Sequence, residues 1–271
     1  MKSNYRYIVK AFMAMAVIAG TTSCDDFLDR EPMSSISPET YYSTAAQLEA
    51  NLNDEYPNVL PSFGQWTYGI FGEDKGTDNQ IEVNANDRYT QDRWKVPHSE
   101  SDNWKFERIY RINFFLSEAL PKFGEDMSGS QNTISGSVAT IKHYIGEMYF
   151  LRAYEYFKKL QLFGDFPIIN QPLADEMEAL REASKRFPRN EVARFIISDL
   201  DKAYAYMSDV DMATTRINKD AAMLVKSRVA LFEATWLQNF KGTAFVPGGE
   251  GCRGHLFTTI TSIRAETLIM K

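Results

Sequence analysis

Trp66, Tyr68 and Trp94 stand in one stretch of the chain together with Asp74, Asp78 and Arg88. An indole or phenol ring offers a flat apolar face with a polar edge, which suits the C–H face of a sugar ring. Carboxylates can accept hydrogen bonds from sugar hydroxyls and a guanidinium can donate to them. These six residues are therefore the candidate ligand-binding set. The same aromatics could instead anchor their segment to neighbouring helices, and the sequence leaves both readings open. Asp74 and Asp78 lack the spacing of an EF-hand loop. His98, His143 and His255 form no His-x-x-x-His pair, and neither a P-loop nor a Gly-x-Ser-x-Gly motif occurs. No catalytic set, metal site or cofactor is expected. Arg152, on a largely apolar stretch, is expected to pair a carboxylate or backbone carbonyls between helices, because buried charges are normally paired.

Cys24 could do a different chemistry. Lys2, Arg6 and Lys10 precede a ten-residue apolar run, Ala11 to Gly20, and Thr22-Ser23-Cys24 follows. That run is too short to span a bilayer and has the form of a signal peptide, residues 1–23. Small residues before a cysteine form a lipobox, although Thr21 stands where leucine is usual. Acylation of Cys24 would supply the two chains that stable anchoring takes. Cys252 is the one other cysteine, so lipidation of Cys24 leaves no pair for a disulfide.

The 271 residues carry 30 basic and 36 acidic side chains. An acidic balance argues against nucleic acid, which needs a basic face. Later segments never approach eighteen consecutive apolar residues, so none is expected to span a membrane as a helix.

The elements that must position these residues read as helical. Residues 24–36 look like an extended tether. A first helix is expected from Ser37, with Pro38 at its first position, through Tyr41, Ala45, Leu48 and Leu52 to Pro57. Residues 57–101 have no sustained helical period and form a long irregular segment, of the kind that is usually functional or disordered; its aromatics argue against disorder. Ile109, Ile112, Leu116, Ala119, Leu120 and Phe123 mark a helix stopped at Gly124. A Gly/Ser loop (128–137) leads to a helix of about 26 residues ending near Phe163. Asn190 is expected to cap a helix with Val192, Phe195, Ile196, Leu200, Ala203, Tyr204 and Met207 in register. Asn218 caps another, with Ala222, Val225, Val229, Phe232 and Trp236 in register. Trp104, Tyr154 and Trp236 fall at core spacing. Strand alternation is absent. Arg152-Ala153 and Arg228-Val229-Ala230, 76 positions apart, each precede aromatics. That offset would fit two tetratricopeptide units and a loop. The fold class is all-α, a tetratricopeptide-like array of antiparallel helix pairs with a long irregular aromatic-containing loop segment.

Several segments together resemble the N-terminal region of SusD/RagB proteins. They are Cys24-Asp25-Asp26-Phe27-Leu28-Asp29, the 41–56 helix, Trp104 with Tyr110 and Asn113, and 146–154 (GEMYFLRAY). Further matches are 162–167 (LFGDFP), 188–191 (PRNE), 198–200 (SDL) and 221–236. Each is weak alone; their order is specific. The resemblance implies an outer-membrane, surface-exposed lipoprotein that binds oligosaccharide without catalysis and serves a SusC-type TonB-dependent transporter. Residues 37–251 would be its helical N-terminal domain. Residues 252–271 no longer resemble the family, which suggests a truncated or frameshifted end. An exposed apolar patch is then expected around Val229, Phe232 and Trp236, with poor order beyond about Gly248. A tetratricopeptide-like interaction scaffold is the alternative function. A surface glycoside hydrolase, needing two carboxylates across a cleft, is the less favoured one.

Overall fold

The computed structural model describes residues 41–61, 103–124, 126–208, 212–250 and 252. Those from Tyr42 onward belong to one compact unit. Among them are six helices: α1 (Ala45–Val59), α2 (Glu107–Phe123), α3 (Val138–Phe163), α4 (Met177–Ala183), α5 (Arg189–Tyr206) and α6 (Lys219–Asn239). The described residues hold no strand, only isolated bridges at Thr44–Ser135 and Phe166–Phe187. The all-α expectation holds.

Side-chain contacts fix the directions of the helices. Along α3 and α5, His143 meets Ser208, Arg152 meets Asp199 and Tyr156 meets Phe195. Rising numbers on one helix meet falling numbers on the other, so the pair is antiparallel. Between α5 and α6, Arg189 meets Glu233 and Asp201 meets Lys226, again antiparallel. Between α2 and α3, Arg108 faces Glu155 and Asn113 faces Arg152. Consecutive long helices thus alternate in direction, as stacked helical hairpins require. The seam between α3 and α5 is the most extensive. Gly146 permits it, since a Cβ there would lie 2.8 Å from Met207 N and 3.0 Å from Ala203 O.

Helix ends follow local chemistry in part. Thr44 caps α1 in a capping box with Gln47. Ser137 caps α3 and Asn218 caps α6, whose Ala221 N–H donates to Asn218 Oδ1 at 2.9 Å. Gly124 (φ 104°) and Gly164 (φ 69°) follow α2 and α3 in backbone conformations that glycine tolerates best.

Other expectations are corrected. Helix α1 does not include Tyr41, because the Thr44 cap starts it at Ala45, and Pro57 does not end it. A proline in the last turn costs a hydrogen bond without stopping the final residues. Asn190 does not cap α5. Pro188 is its N-cap residue, and the Arg189 N–H donates to Asp165 Oδ1 at 2.8 Å, a cap supplied by the preceding loop. Tyr204 is exposed, and Tyr206 is buried in its place. Trp104 lies before α2 rather than on a helix, packed edge-on against Phe106, Phe163 and Phe166. Arg228 is exposed, so it does not repeat the buried Arg152.

The expected exposed patch is also wrong. Val229 is 0% exposed. Phe232 packs edge-on against Phe157, and Trp236 lies between Phe240 and the Arg189 guanidinium, which is 4.0 Å from its ring centroid. The exposed apolar residues of α6 are Met223, Leu224 (71%) and Leu231 (62%). Helix α6 is apolar on two faces, and the packed one is the face expected to be bare.

Candidate functional site

Arg152 on α3 sits at the centre of a buried polar network. Its Nε and Nη2 donate to both carboxylate oxygens of Asp199, at 2.7 and 2.8 Å. Its Nη1 donates to Asn113 Oδ1 at 2.9 Å and to the Asn170 carbonyl at 3.2 Å. Burial works against its charge, and the hydrogen bonds and charge of Asp199 outweigh that cost, raising the guanidinium's affinity for its proton. The expected structural role of Arg152 is what the structure shows.

This network fixes a loop as well as a helix pair. With Oδ1 accepting from Arg152, the Asn113 amide donates to the Ile169 carbonyl at 2.9 Å. The Tyr156 hydroxyl donates to that carbonyl at 3.0 Å and accepts the Ile169 N–H at 2.8 Å. The backbone of residues 169–170 is thus held by three side chains from α2 and α3. Phe106, just before α2, Ile109 and Tyr110 of α2, Ile169, Gln171 and Leu180 of α4 line a hollow of about 260 Å³. Tyr110 is 50% exposed and stacks on Phe114. The lining is apolar apart from Gln171 and Ser184. An apolar hollow beside an exposed tyrosine can hold a flat ring or an alkyl chain.

A second network joins α1, α3 and the start of α6. Glu147 Oε1 and Oε2 accept from Arg216 at 2.8 and 2.6 Å, and Oε2 accepts from the Tyr56 hydroxyl at 2.8 Å. Burial, then the Glu147 charge, push the Tyr56 hydroxyl well above the ordinary phenol range. His143 Nδ1 accepts the Ser208 N–H at 3.3 Å, while Nε2 lies 3.0 Å from the Ile217 carbonyl. The same Nε2 lies 3.0 Å from Glu147 Oε1, so His143 joins this network as well. A third pair, Arg189 with Glu233, ties α5 to α6.

Each buried carboxylate among the described residues has a cation beside it. The pairs are Glu55–Arg111, Glu147–Arg216, Glu155–Lys159, Asp199–Arg152 and Glu233–Arg189. Metal clusters of three or more His, Cys, Asp or Glu are absent among the described residues. Sequence reasoning gave Arg152 a structural role without naming its partners; Asn113, Glu147 and Asp199 entered only through the family resemblance, and Arg216 and Tyr156 not at all. For Glu147 and Tyr156 the signal is a polar side chain inside an apolar helix, which marks burial without naming the neighbour; Arg216 lies in the turn before α6 and carries no such signal.

The ligand set read from the sequence, Trp66, Tyr68, Asp74, Asp78, Arg88 and Trp94, lies outside the described residues, as do Cys24 and the tail from 253. What the structure describes is where the aromatic segment leaves and rejoins the helices. Val59 ends α1, and Asn103 precedes α2. Adjacent lysines of α3 reach both places. Lys158 Nζ donates to the Val59 carbonyl, and Lys159 Nζ donates to the Asn103 carbonyl at 2.8 Å.

A family model described as "Starch-binding associating with outer membrane", of the SusD-like type, matches residues 26–231. The chain belongs to the SusD-like family. Its curated relatives include SusD-like protein P25 of Formosa agariphila, 25% identical over 233 aligned positions, with 79% of this chain and 41% of that one covered. SusD-like protein P2 of the same organism is 25% identical over 257 residues, 90% of this chain and 46% of that one. A solved SusD-like protein from Bacteroides fragilis superposes with a TM-score of 0.53 at 21% identity, over 78% of this chain and 40% of that one. The SusD-like chain described here therefore spans under half the length of these relatives. Its helical hairpins are the SusD-like fold. Among the described residues no helix is long and apolar enough to cross a membrane.

Proposed function

We propose that this SusD-like chain captures oligosaccharide at the outer surface of the outer membrane, without catalysis, and presents it to a SusC-type TonB-dependent transporter. The observation that carries the reading is the family match over residues 26–231, whose description names starch binding and the outer membrane. The sequence supports it with a lipobox at Cys24 for anchoring. Trp66, Tyr68 and Trp94, beside Asp74, Asp78 and Arg88, are the proposed contacts to sugar faces and hydroxyls. Residues 24–36 act as the tether and 37–251 as the binding domain.

Affinity electrophoresis in soluble starch, followed by calorimetry over a panel of oligosaccharides, tests this directly. Retardation by at least one glycan, with no reducing ends released from it, is the expected result. Release of reducing ends would make the chain a hydrolase. No retardation by any glycan would sink the reading. A second reading, a protein-interaction scaffold, is favoured by the exposed line of Met223, Leu224 and Leu231 on α6. It would be supported by glycan indifference together with a saturable protein partner on that face.

A further inference from the structure

We propose that the hollow lined by α2, α4 and residues 169–173 is a binding site for a small aryl ligand, one aromatic ring with a polar substituent. The proposal is independent of the glycan reading. At about 260 Å³ the hollow exceeds the roughly 150 Å³ of an engineered apolar cavity that holds benzene, and falls short of the roughly 300 Å³ at which pockets for drug-sized ligands begin. One substituted ring matches that space.

The lining selects against a sugar. Ile109, Ile169, Leu173, Leu180 and Ala183 are apolar, and both backbone groups of Ile169 are already bonded, to Tyr156 and Asn113. Sugar hydroxyls would enter with few partners, and burying unpaired polar groups costs free energy. The lining also favours a ring over an alkyl chain. Phe106 and Tyr110, its two aromatic members, are each backed by another ring. Phe106 stacks on Phe166 at 5.2 Å and Tyr110 on Phe114 at 6.2 Å. Rings fixed in this way can take a further ring in stacked or edge-on contact, and a rigid ring loses less freedom on binding than a chain does. Gln171 and Ser184, the polar members of the lining, can bond its substituent.

The surroundings have the form of a prepared site. Arg152 holds Asn113, and Asn113 with Tyr156 holds Ile169. All three side chains are buried. Apolar packing would fix a loop at less desolvation cost than a buried polar network, but it would not set one backbone position, and the position set here is that of a lining residue. Helix α4 has seven residues, none of them buried, and so short a helix is not stable by itself. Its Leu180 is 41% exposed and Tyr110 of α2 is 50% exposed. A ring bound in the hollow covers both and gives α4 a packing partner.

The test titrates p-cresol, hexan-1-ol and glucose into the full chain and follows the methyl signals of Ile109 and Ile169 by nuclear magnetic resonance. p-Cresol should shift both signals saturably, and the other two should bind at least about tenfold more weakly. No saturable shift with p-cresol overturns the site, and equal binding of hexan-1-ol or glucose overturns the aryl assignment. Ala183→Phe, which fills the hollow with a ring of its own, should abolish p-cresol binding with helical circular dichroism unchanged. Leu180→Asp, at an exposed position of α4, gives the same readout if Ala183→Phe does not fold. Retained affinity in a folded variant places the binding elsewhere and overturns the proposal. Tyr156→Phe removes the hydroxyl that holds Ile169 and keeps the ring, so p-cresol affinity should fall severalfold. Unchanged affinity there overturns the part given to the buried network.

Discussion

Asp199→Ala should be among the most damaging single substitutions in the described core. The carboxylate takes two hydrogen bonds from Arg152, and Asp199 is 0% exposed while Arg152 is 3% exposed. Its removal leaves a buried guanidinium bound only to Asn113 and the Asn170 carbonyl. Breaking such a pair costs about 3–5 kcal/mol. For a chain of this size each kcal/mol lowers the melting temperature by about 2–4 °C, so a loss of roughly 6–20 °C is expected. Removing both charges should cost less. In Arg152→Met/Asp199→Leu no charge is stranded, and the remaining penalty is the unpaired Asn113 and Asn170 oxygens, about 1–3 kcal/mol. Urea unfolding followed by far-ultraviolet circular dichroism gives all the needed stabilities, provided the slope with urea is unchanged. A double-mutant cycle of Arg152→Met, Asp199→Leu and their combination should show a coupling of about 2 kcal/mol or more. A loss below about 1 kcal/mol in Asp199→Ala, or simple additivity, would refute the claim that this pair is a desolvated tie.

Gly146→Ala should destabilise, although alanine normally favours a helix interior by about 0.5–1 kcal/mol. The added methyl would meet backbone atoms of α5 at 3.0 Å or less, so overpacking of about 1–3 kcal/mol decides the sign; a gain in melting temperature would contradict it. Hydrogen bonds from Ser128 and Ser130 hold the Asp126 carboxyl below its ordinary value of 3.8. Its contribution to stability is therefore present above that value and lost as pH falls through the lowered one, and Asp126→Asn should flatten the acid limb of a pH–stability curve. Trp66→Ala or Trp94→Ala should weaken glycan binding by about 1–2 kcal/mol with the helical signal intact. Normal affinity in both, or a large loss of thermal stability, would return these residues to a packing role. Cys24→Ala should move the protein from the membrane fraction to soluble material, and detergent-dependent association in the variant would sink the lipid anchor.

What the sequence made legible was local. The α3 helix appears with its full 26 residues because its apolar density, the Gly/Ser loop before it and Gly164 after it are all neighbours in sequence. Asn218 is a cap for the same reason. Asn190 fails because the competing cap, Asp165, comes from across a loop. The bare face of α6 was misassigned because Met223, Leu224, Val229 and Phe232 supply apolar residues to two faces. Periodicity counts such faces but does not say which one α5 covers.

In the stretch that carried much of the family resemblance, residues 146–154, three residues have a structural explanation. Gly146 lets α3 approach α5, Glu147 gathers Arg216 and Tyr56, and Arg152 ties α2, α5 and the loop at Asn170. LFGDFP supplies Gly164 after α3, Asp165 for the start of α5, and Phe166 beneath Trp104. PRNE supplies Arg189, which pairs with Glu233. These residues build the scaffold, and in the structure Glu147, Arg152, Asp165 and Arg189 are each engaged by groups of neighbouring elements. The proposed sugar contacts, Trp66, Tyr68, Asp74, Asp78, Arg88 and Trp94, share no residue with these motifs. Substitutions in the 62–102 segment should change ligand preference at constant stability, whereas substitutions at Gly146, Glu147 or Arg152 should change stability at constant preference.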